Sequence, residues 1–277
     1  MINLDELVKS ASKLEPLPLS VTRLMKLLNN ENVAIDEIEK IFSLDGVLTA
    51  QLLRQANSAF SGSRNQIGTI SAAVIRLGFN NVMALAVSVS TEKQLSMSIP
   101  EYGMEEWDLW RHSQATRLAT EAMKKVFKIA VPPEAPIAAL LHDIGKVVLS
   151  RFLGPTELSI LRQANQHNNI DQESEKEVLD IHHGELGGLI AQHWQLPDII
   201  VRGIIYHHDP YNCTSEDNTI CHVVCFANWA AKAAVCKMDQ KKFSEVVVKS
   251  AKNLGINTGK MDEFLDHIIT DLENLSH

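Results

Sequence analysis

The residues of this 277-residue chain that are best suited to chemistry are its histidines. Nine of the eleven lie between His112 and His222, so a site is expected in the second half of the chain. The sharpest local feature is the adjacent pair His142-Asp143 within an apolar segment. An imidazole nitrogen and a carboxylate oxygen are ligand types suited to iron, manganese or zinc. A buried polar pair needs partners, which either a metal ion or a hydrogen-bonded core without metal would supply.

Further histidines lie on separate predicted helices. One precedes the His-Asp pair, two adjacent ones follow it, and two more end a later helical segment. Side chains from four separate segments can meet only if the helices form a bundle, which is how metal sites are built in helical proteins. We therefore predict one pocket, for which the candidate residues are His112, the pair His142-Asp143, the adjacent His182 and His183, and His207 and His208 with Asp209.

Lys146 offers a positive charge close to this predicted pocket. The segment Pro136–Phe152 is expected to form one continuous helix, which places Lys146 one turn after His142. In that position its ammonium group could meet an anionic substrate beside the metal. The alternative is that the side chain extends along the helix surface to solvent.

Helical periodicity dominates the elements that must position these residues. Apolar residues recur every three or four positions, as in Ile35–Phe42, and no sustained alternation between turns predicts strands. Ser96–Gly103, with its proline and glycine, is the best candidate for a boundary. We predict an all-α chain with one helical subdomain over residues 1–98, a second over 104–238 and closing C-terminal helices over 239–277.

The composition is that of an acidic globular protein. Hydrophobic residues make up 45% and charged residues 22% of the chain, which excludes a disordered or collagen-like protein. A formal net charge of −8 and an aromatic content of 5% argue against a nucleic-acid surface or an anionic-membrane surface. Neither a targeting segment nor a membrane-spanning apolar stretch is apparent, so we expect a cytoplasmic protein.

The cysteines agree with that expectation. Cys213, Cys221, Cys225 and Cys236 contain no CxxC pairing. Cys221 and Cys225 could share a helix face, and a zinc or redox site would depend on that pair alone. The alternative is that the cysteines are reduced, half-buried thiols that behave as small hydrophobic residues, as in a reducing compartment.

Several ordered motifs resemble those of a known family. Leu141–Lys146 (LHDIGK) resembles the signature of the HD superfamily of metal-dependent phosphohydrolases. Further motifs resemble the HDOD family in particular: Leu14–Pro18, Ile41–Thr49, Leu52–Phe60, Ile75–Gly78 and Tyr206–Pro210. The resemblance covers about residues 10–235. It implies an N-terminal helical bundle packed on an HD-like helical core, in a family of bacterial signalling and regulatory proteins often without demonstrated catalysis.

The resemblance also implies roles for individual residues. Six of the candidate residues match histidines and the aspartate of the HD-superfamily metal site, and the resemblance implies that these six converge in one pocket: His112, His142, Asp143, His183, His207 and His208. The Gly-Tyr-Pro motif of the related HD-GYP phosphodiesterases is absent. HD hydrolases close the site with an aspartate on a late helix, and Asn228 would replace it here as a lost ligand. A neutral amide is a weaker ligand and takes up no proton from bound water, which argues against hydrolysis.

Two functions follow from the resemblance. The first is a signalling or regulatory protein that binds a partner signalling protein or a small phosphorylated ligand, with a pocket able to hold Fe, Mn, Zn or Mg. The second is a metal-dependent phosphohydrolase acting on a nucleotide or cyclic dinucleotide, with Asp143 and Lys146 as catalytic residues. There Lys146 would offset developing negative charge. Asn228 and the HDOD-type N-terminal half favour regulation, and the oligomeric state is left open.

Asn57, within one of the HDOD-type motifs, also has two interpretations. It comes at the end of a predicted helix, where an asparagine can adopt the left-handed conformation or cap backbone groups with its amide. We therefore predict a structural role. The functional alternative is a residue that recognises a partner.

Overall fold

The structure, a computed structural model, describes residues 4–27, 33–57, 66–164, 172–235 and 244–275. Within these ranges the regular elements are helices, and the one pairing of extended backbone is an isolated bridge between Ile99 and Met104. The all-α prediction is confirmed. Ser58–Phe60 of one HDOD-type motif and Cys236 lie outside the described residues.

The N-terminal part of the described chain contains α1 (Leu4–Ala11), α2 (Leu19–Leu27), α3 (Ile35–Phe42), α4 (Gly46–Asn57), α5 (Ile70–Leu77) and α6 (Phe79–Leu95). α4 shows why these segments are helical: it buries Leu48, Leu52 and Ala56, which share one face at a spacing of four residues. Between α5 and α6, Gly78 has a φ of +79°, a conformation that favours glycine.

No described helix is by itself long and apolar enough to cross a membrane. α5 and α6 pass that test only as a pair, by length and composition, and the pair is bent by 107°.

The second part contains α7 (Asp108–Val126), α8 (Ala135–Leu141), α9 (Gly145–Leu149), α10 (Pro155–Ala164), α11 (Gln172–Leu179), α12 (His183–His193), α13 (Asp198–Ile205), α14 (Thr219–Val235), α15 (Glu245–Asn253) and α16 (Met261–Leu275). α7 is buried along most of its length and packs against α8, α14 and α16. α12 packs against α9 and α13. These contacts bring the histidine-bearing segments together.

The prediction of one continuous helix over Pro136–Phe152 is wrong. α8 ends at Leu141, the chain turns, and α9 begins at Gly145. The reason is a close backbone approach that periodicity does not reveal: a Cβ at Gly145 would lie 1.9 Å from the carbonyl oxygen of His183. The break therefore sets the start of α9 against the start of α12 and leaves the His-Asp pair in the turn.

α6 links the two parts, because it packs against α2 and α4 on one side and against α7 and α8 on the other. The proposed boundary between residues 98 and 104 falls at a 3-10 turn over Pro100–Tyr102, directly after α6. Whether the two parts are separate domains stays a prediction. The second proposed boundary, at residues 238–239, lies outside the described residues, and α16 beyond it packs on α7.

Candidate metal centre

Six side chains from four elements meet in the interior of the second part. They come from α7, from the turn between α8 and α9, from the first residue of α12 and from the end of α13: His112, His142, Asp143, His183, His207 and His208. In one group, the ligand atoms of His112, His142 and Asp143 lie within 4.8 Å of one another. In the other, those of Asp143 and the three later histidines do the same. The structure thus brings all six predicted residues together, and Asp143 belongs to both groups.

Asp143 stands between the two groups, with one carboxylate oxygen towards each. Its Oδ2 lies 3.3 Å from Nε2 of His142 and 3.6 Å from Nε2 of His112. Its Oδ1 lies 3.2 Å from Nε2 of His183 and 3.7 Å from Nε2 of His207. A carboxylate in this position is able to bind two cations at once or to share one between the groups.

The proton positions on three of the rings follow from what the second ring nitrogen contacts. Nδ1 of His142 and Nδ1 of His207 lie 2.7 Å and 2.6 Å from the carbonyl oxygen three residues earlier in the chain. Nδ1 of His183 lies 2.7 Å from Oε2 of Glu175. Because these oxygens can only accept, each Nδ1 carries the proton and donates it. The Nε2 lone pair then faces the centre, as in metal-ligating histidines.

The spacing of the ring nitrogens fits a divalent cation. Nε2 of His112 lies 3.2 Å from Nε2 of His142, and Nε2 of His183 lies 3.0 Å from Nε2 of His208. Two nitrogens bound to one tetrahedral zinc ion are about 3.3 Å apart. Oδ1 of Asp143 and Nε2 of His207 are buried and lack a hydrogen-bond partner among the described residues. Such atoms destabilise a fold unless a partner is bound, and a metal ion would satisfy both.

The electrostatics of the centre favour ligand-ready protonation states for most of its groups. Burial is the largest cause that lowers the pKa values of His112 and His207 well below the usual range, so both rings are neutral. Burial by itself would raise the pKa of Asp143, but its interactions with His142 and with the ammonium group of Lys146 hold it well below its usual value. His183 differs, because burial by itself would lower its pKa but the charge of Glu175 raises it. A neutral imidazole and an ionised carboxylate are the forms that bind a metal.

Two residues that the sequence analysis did not identify hold His183 in place. Oε2 of Glu175, on α11, accepts from Nδ1 and from the backbone N–H of His183, each at 2.7 Å. The hydroxyl group of Tyr102 donates to Oε1 of the same carboxylate at 2.7 Å. Burial by itself would raise the pKa of Glu175, but its interactions with His183 lower it, so Glu175 is ionised. The one sequence signal is its place four residues before the buried Leu179, on the same face of a highly charged helix.

Lys146 does not extend to solvent. Its side chain is buried, its Nζ lies 2.6 Å from Oδ2 of Asp143, and the ammonium group lies 5.7 Å from the centre of the Tyr102 ring. The charge that the sequence analysis placed near the pocket is therefore bound to the shared carboxylate. A contact with substrate stays a prediction.

Asn228, the proposed replacement for a lost ligand, is buried on α14, and its Oδ1 has no hydrogen-bond partner among the described residues. α14 packs against α7, α8 and α13, which carry or flank residues of the centre. The assignment of Asn228 as a lost ligand stays a prediction.

Asn57 ends α4 and ties it to the chain that follows. Its Nδ2 donates to the carbonyl oxygens of Leu53 and Ile67, both at 2.8 Å, and its Oδ1 accepts from the N–H of Ile67 at 2.7 Å. Three hydrogen bonds to the backbone support a structural role. The partner-recognition alternative stays a prediction.

The described cysteines, Cys213, Cys221 and Cys225, are buried and unbridged. Burial raises the pKa of Cys221, and it raises the pKa of Cys225 to about 11. Thiols that stay protonated at neutral pH are poor nucleophiles. These properties agree with cysteines that serve as small hydrophobic residues.

Sequence comparison places these features in a family context. The family model described as HDOD domain matches residues 14–210. An uncharacterized protein of Treponema pallidum (strain Nichols) is 28% identical over 214 residues, which cover 76% of this chain and 41% of that protein. The chain therefore spans about two fifths of the length of this curated relative.

Three crystal structures share the fold. An HDOD domain protein of unknown function from Geobacter sulfurreducens has a TM-score of 0.72 and 22% identity, covering 98% of this chain and 97% of that one. A proposed phosphohydrolase from Shewanella amazonensis SB2B has a TM-score of 0.72 and 23% identity, covering 97% of each chain. A proposed signal transduction protein from Marinobacter aquaeolei VT8 has a TM-score of 0.69 and 18% identity, covering 99% of this chain and 65% of that one. At these identities the likeness concerns the fold.

Proposed function

Because the chain belongs to the HDOD domain family, we propose that it is a signalling or regulatory protein that binds a partner or ligand, and that its six-residue centre holds a divalent metal ion. The observation that carries the proposal is the convergence and burial of this centre. His142 and Asp143 are 0% exposed, His207 1%, His183 2% and His112 6%, whereas His208 is half-buried. Burial of most of the ligands is typical of structural metal sites, whereas catalytic sites keep one coordination position open to water or substrate.

An ion in this centre would join four parts of the fold. Its ligands come from α7, the α8–α9 turn, α12 and the end of α13, so occupancy would couple elements that are distant in sequence. Any ligand that binds only the native state stabilises it by mass action. A set dominated by imidazole nitrogens favours iron, manganese or zinc over magnesium, which prefers oxygen ligands. We therefore expect the stability of the folded protein to depend on the concentration of such an ion.

A second candidate function is metal-dependent phosphohydrolysis. The observation that favours it is the ammonium group of Lys146, held 2.6 Å from the shared carboxylate, where it could offset negative charge on a phosphoryl group. A bound divalent cation supplies a Lewis acid that polarises phosphoryl oxygens and lowers the pKa of water. Asp143 would hold the metal ion between the two groups of histidines. Asn228 argues against this candidate, because an amide adds no negative charge at the last position.

Hydrolysis of bis(p-nitrophenyl) phosphate with added manganese or iron separates the two functions. The wild-type protein and the variant Asn228→Asp are compared, with Asn253→Asp, an exposed residue of α15, as the matched control. We expect tighter metal binding in Asn228→Asp than in the wild type, and no turnover in any of the three proteins. Robust, metal-dependent hydrolysis by the wild-type protein would contradict a purely regulatory role and support the second candidate.

A further inference from the structure

A cavity lies away from the metal centre, where the N-terminal helices meet the core. Its volume is about 420 Å³, and its lining comes mainly from α4, α6, α7 and α16. None of the six residues of the metal centre contributes to it. Leu85, Val89 and Trp110 form an apolar wall. A cavity of this size, with an apolar wall and a few converging polar groups, has the properties of a small-molecule site.

One side of this cavity is a buried, hydrogen-bonded polar array. On α7, Nε of Arg117 donates to Gln114 at 2.9 Å, and Nη1 of Arg117 donates to Glu121 at 2.7 Å. The side-chain amide of Gln114 donates to the hydroxyl group of Ser88 on α6. All four residues are buried, and all four line the cavity. Desolvation makes a buried ion pair weak evidence for stability, and here the pair forms part of a polar wall of the cavity.

Three further groups of the lining lack a complementary partner among the described residues. The indole Nε1–H of Trp110 is buried without an acceptor. The exposed guanidinium group of Arg54 bonds only to the neutral amide of Gln51, and the half-buried carboxylate of Glu92 has no cationic partner. The cavity therefore presents a cation, an aromatic ring and an anion.

We propose that this cavity binds a nucleoside monophosphate. Arg54 binds the phosphate, since a guanidinium group matches the geometry of a phosphate oxyanion. The base lies beside Trp110, because stacking on an aromatic ring suits any base. Glu92 accepts hydrogen bonds from the N–H groups of the base, as carboxylates do from exocyclic amino groups. The ligand would lie between the N-terminal helices and α7, and so would fix one part of the molecule against the other.

The test is isothermal titration calorimetry on the full chain with guanosine monophosphate, adenosine monophosphate, guanosine and inorganic phosphate. The variants are Arg54→Gln and Glu92→Gln, and the control is Arg76→Gln, an exposed arginine on α5. We expect about one equivalent of at least one monophosphate to bind, weakened tenfold or more in Arg54→Gln and in Glu92→Gln and unchanged in the control. Guanosine and inorganic phosphate should each bind more weakly than the monophosphate.

Three outcomes would overturn this inference. The first is that neither monophosphate binds, and the second is that binding is the same in both variants and the wild type. The third is that a chelator abolishes binding, because the ligand would then belong to the metal centre. Binding that survives the chelator supports the cavity whatever the outcome for metal-dependent function, since the two sites share no residue.

Discussion

At the scale of single residues, the candidate metal centre depends on the groups that orient its histidines. Residue type and helical placement in the sequence indicated the candidate ligands, and the resemblance to the HD superfamily selected the six side chains that converge. Glu175 was missed because it lies in a highly charged stretch, where a glutamate is expected to face solvent. Its burial is imposed by the hydrogen bonds to His183 and Tyr102, whose positions only the folded chain defines.

Replacing Glu175 tests this orienting role. In Glu175→Gln the negative charge behind His183 is lost while the shape is kept, so the imidazole becomes a poorer ligand. We expect metal affinity to fall about tenfold to a hundredfold, the usual effect of losing such a partner. Metal binding is measured by competition with a chromogenic chelator, with the exposed Glu177→Gln on the same helix as control. Equal affinities in the two variants would show that Glu175 does not orient a ligand.

At the scale of elements, helix periodicity predicted the segments but not the break between α8 and α9. The apolar pattern through Pro136–Phe152 is continuous, so sequence alone favours one helix. The break arises because the backbone at Gly145 approaches that of His183, a contact between residues 38 positions apart that leaves no pattern in either segment.

Gly145→Ala tests this close approach. An added Cβ would clash with the carbonyl oxygen of His183, and backbone atoms cannot move aside as a flexible side chain does. α9 and α12 must then separate, which moves Asp143 away from His183. We expect a loss of several kcal/mol in the free energy of unfolding, about 2–4 kcal/mol, in the range of severe steric substitutions. Denaturant unfolding measures this, and Gly46→Ala, where a Cβ meets nothing within 4 Å, is the control.

At the scale of the whole molecule, sequence predicted the helical class and the meeting of distant segments, because only a bundle can bring four histidine-bearing segments together. It did not predict the cavity between α4, α6, α7 and α16. That cavity is formed by the way separate helices pack, and its polar residues are individually ordinary in the sequence. The packing of α16 on α7 likewise buries an acidic residue, Asp271, whose effect depends on the folded state.

Asp271 makes stability depend on pH. Burial raises its pKa despite the nearby Lys125, whose Nζ lies 3.8 Å from Oδ2. A raised pKa means that ionisation of Asp271 destabilises the folded state. This penalty is absent below the unfolded-state pKa, near 4, and complete above the folded-state pKa. Asp271→Asn should therefore stabilise the protein at pH 7 by less than about 1 kcal/mol, given solvent screening. The gain should vanish near pH 4, and thermal unfolding at both pH values measures it. The exposed Asp266→Asn is the control, and a gain of equal size at both pH values would contradict the account.

The central claim is that His112, His142, Asp143, His183, His207 and His208 form a metal centre. The most direct measurement is elemental analysis of the untagged protein, purified without chelator and then incubated with iron, manganese or zinc and desalted. The wild-type protein is predicted to retain at least one equivalent of one of these metals. The double variant His142→Ala/His183→Ala should retain less than about a tenth of that, because each group loses a nitrogen ligand. A wild-type protein that emerges free of metal under all three conditions, or a double variant that retains as much metal as the wild type, would contradict the claim.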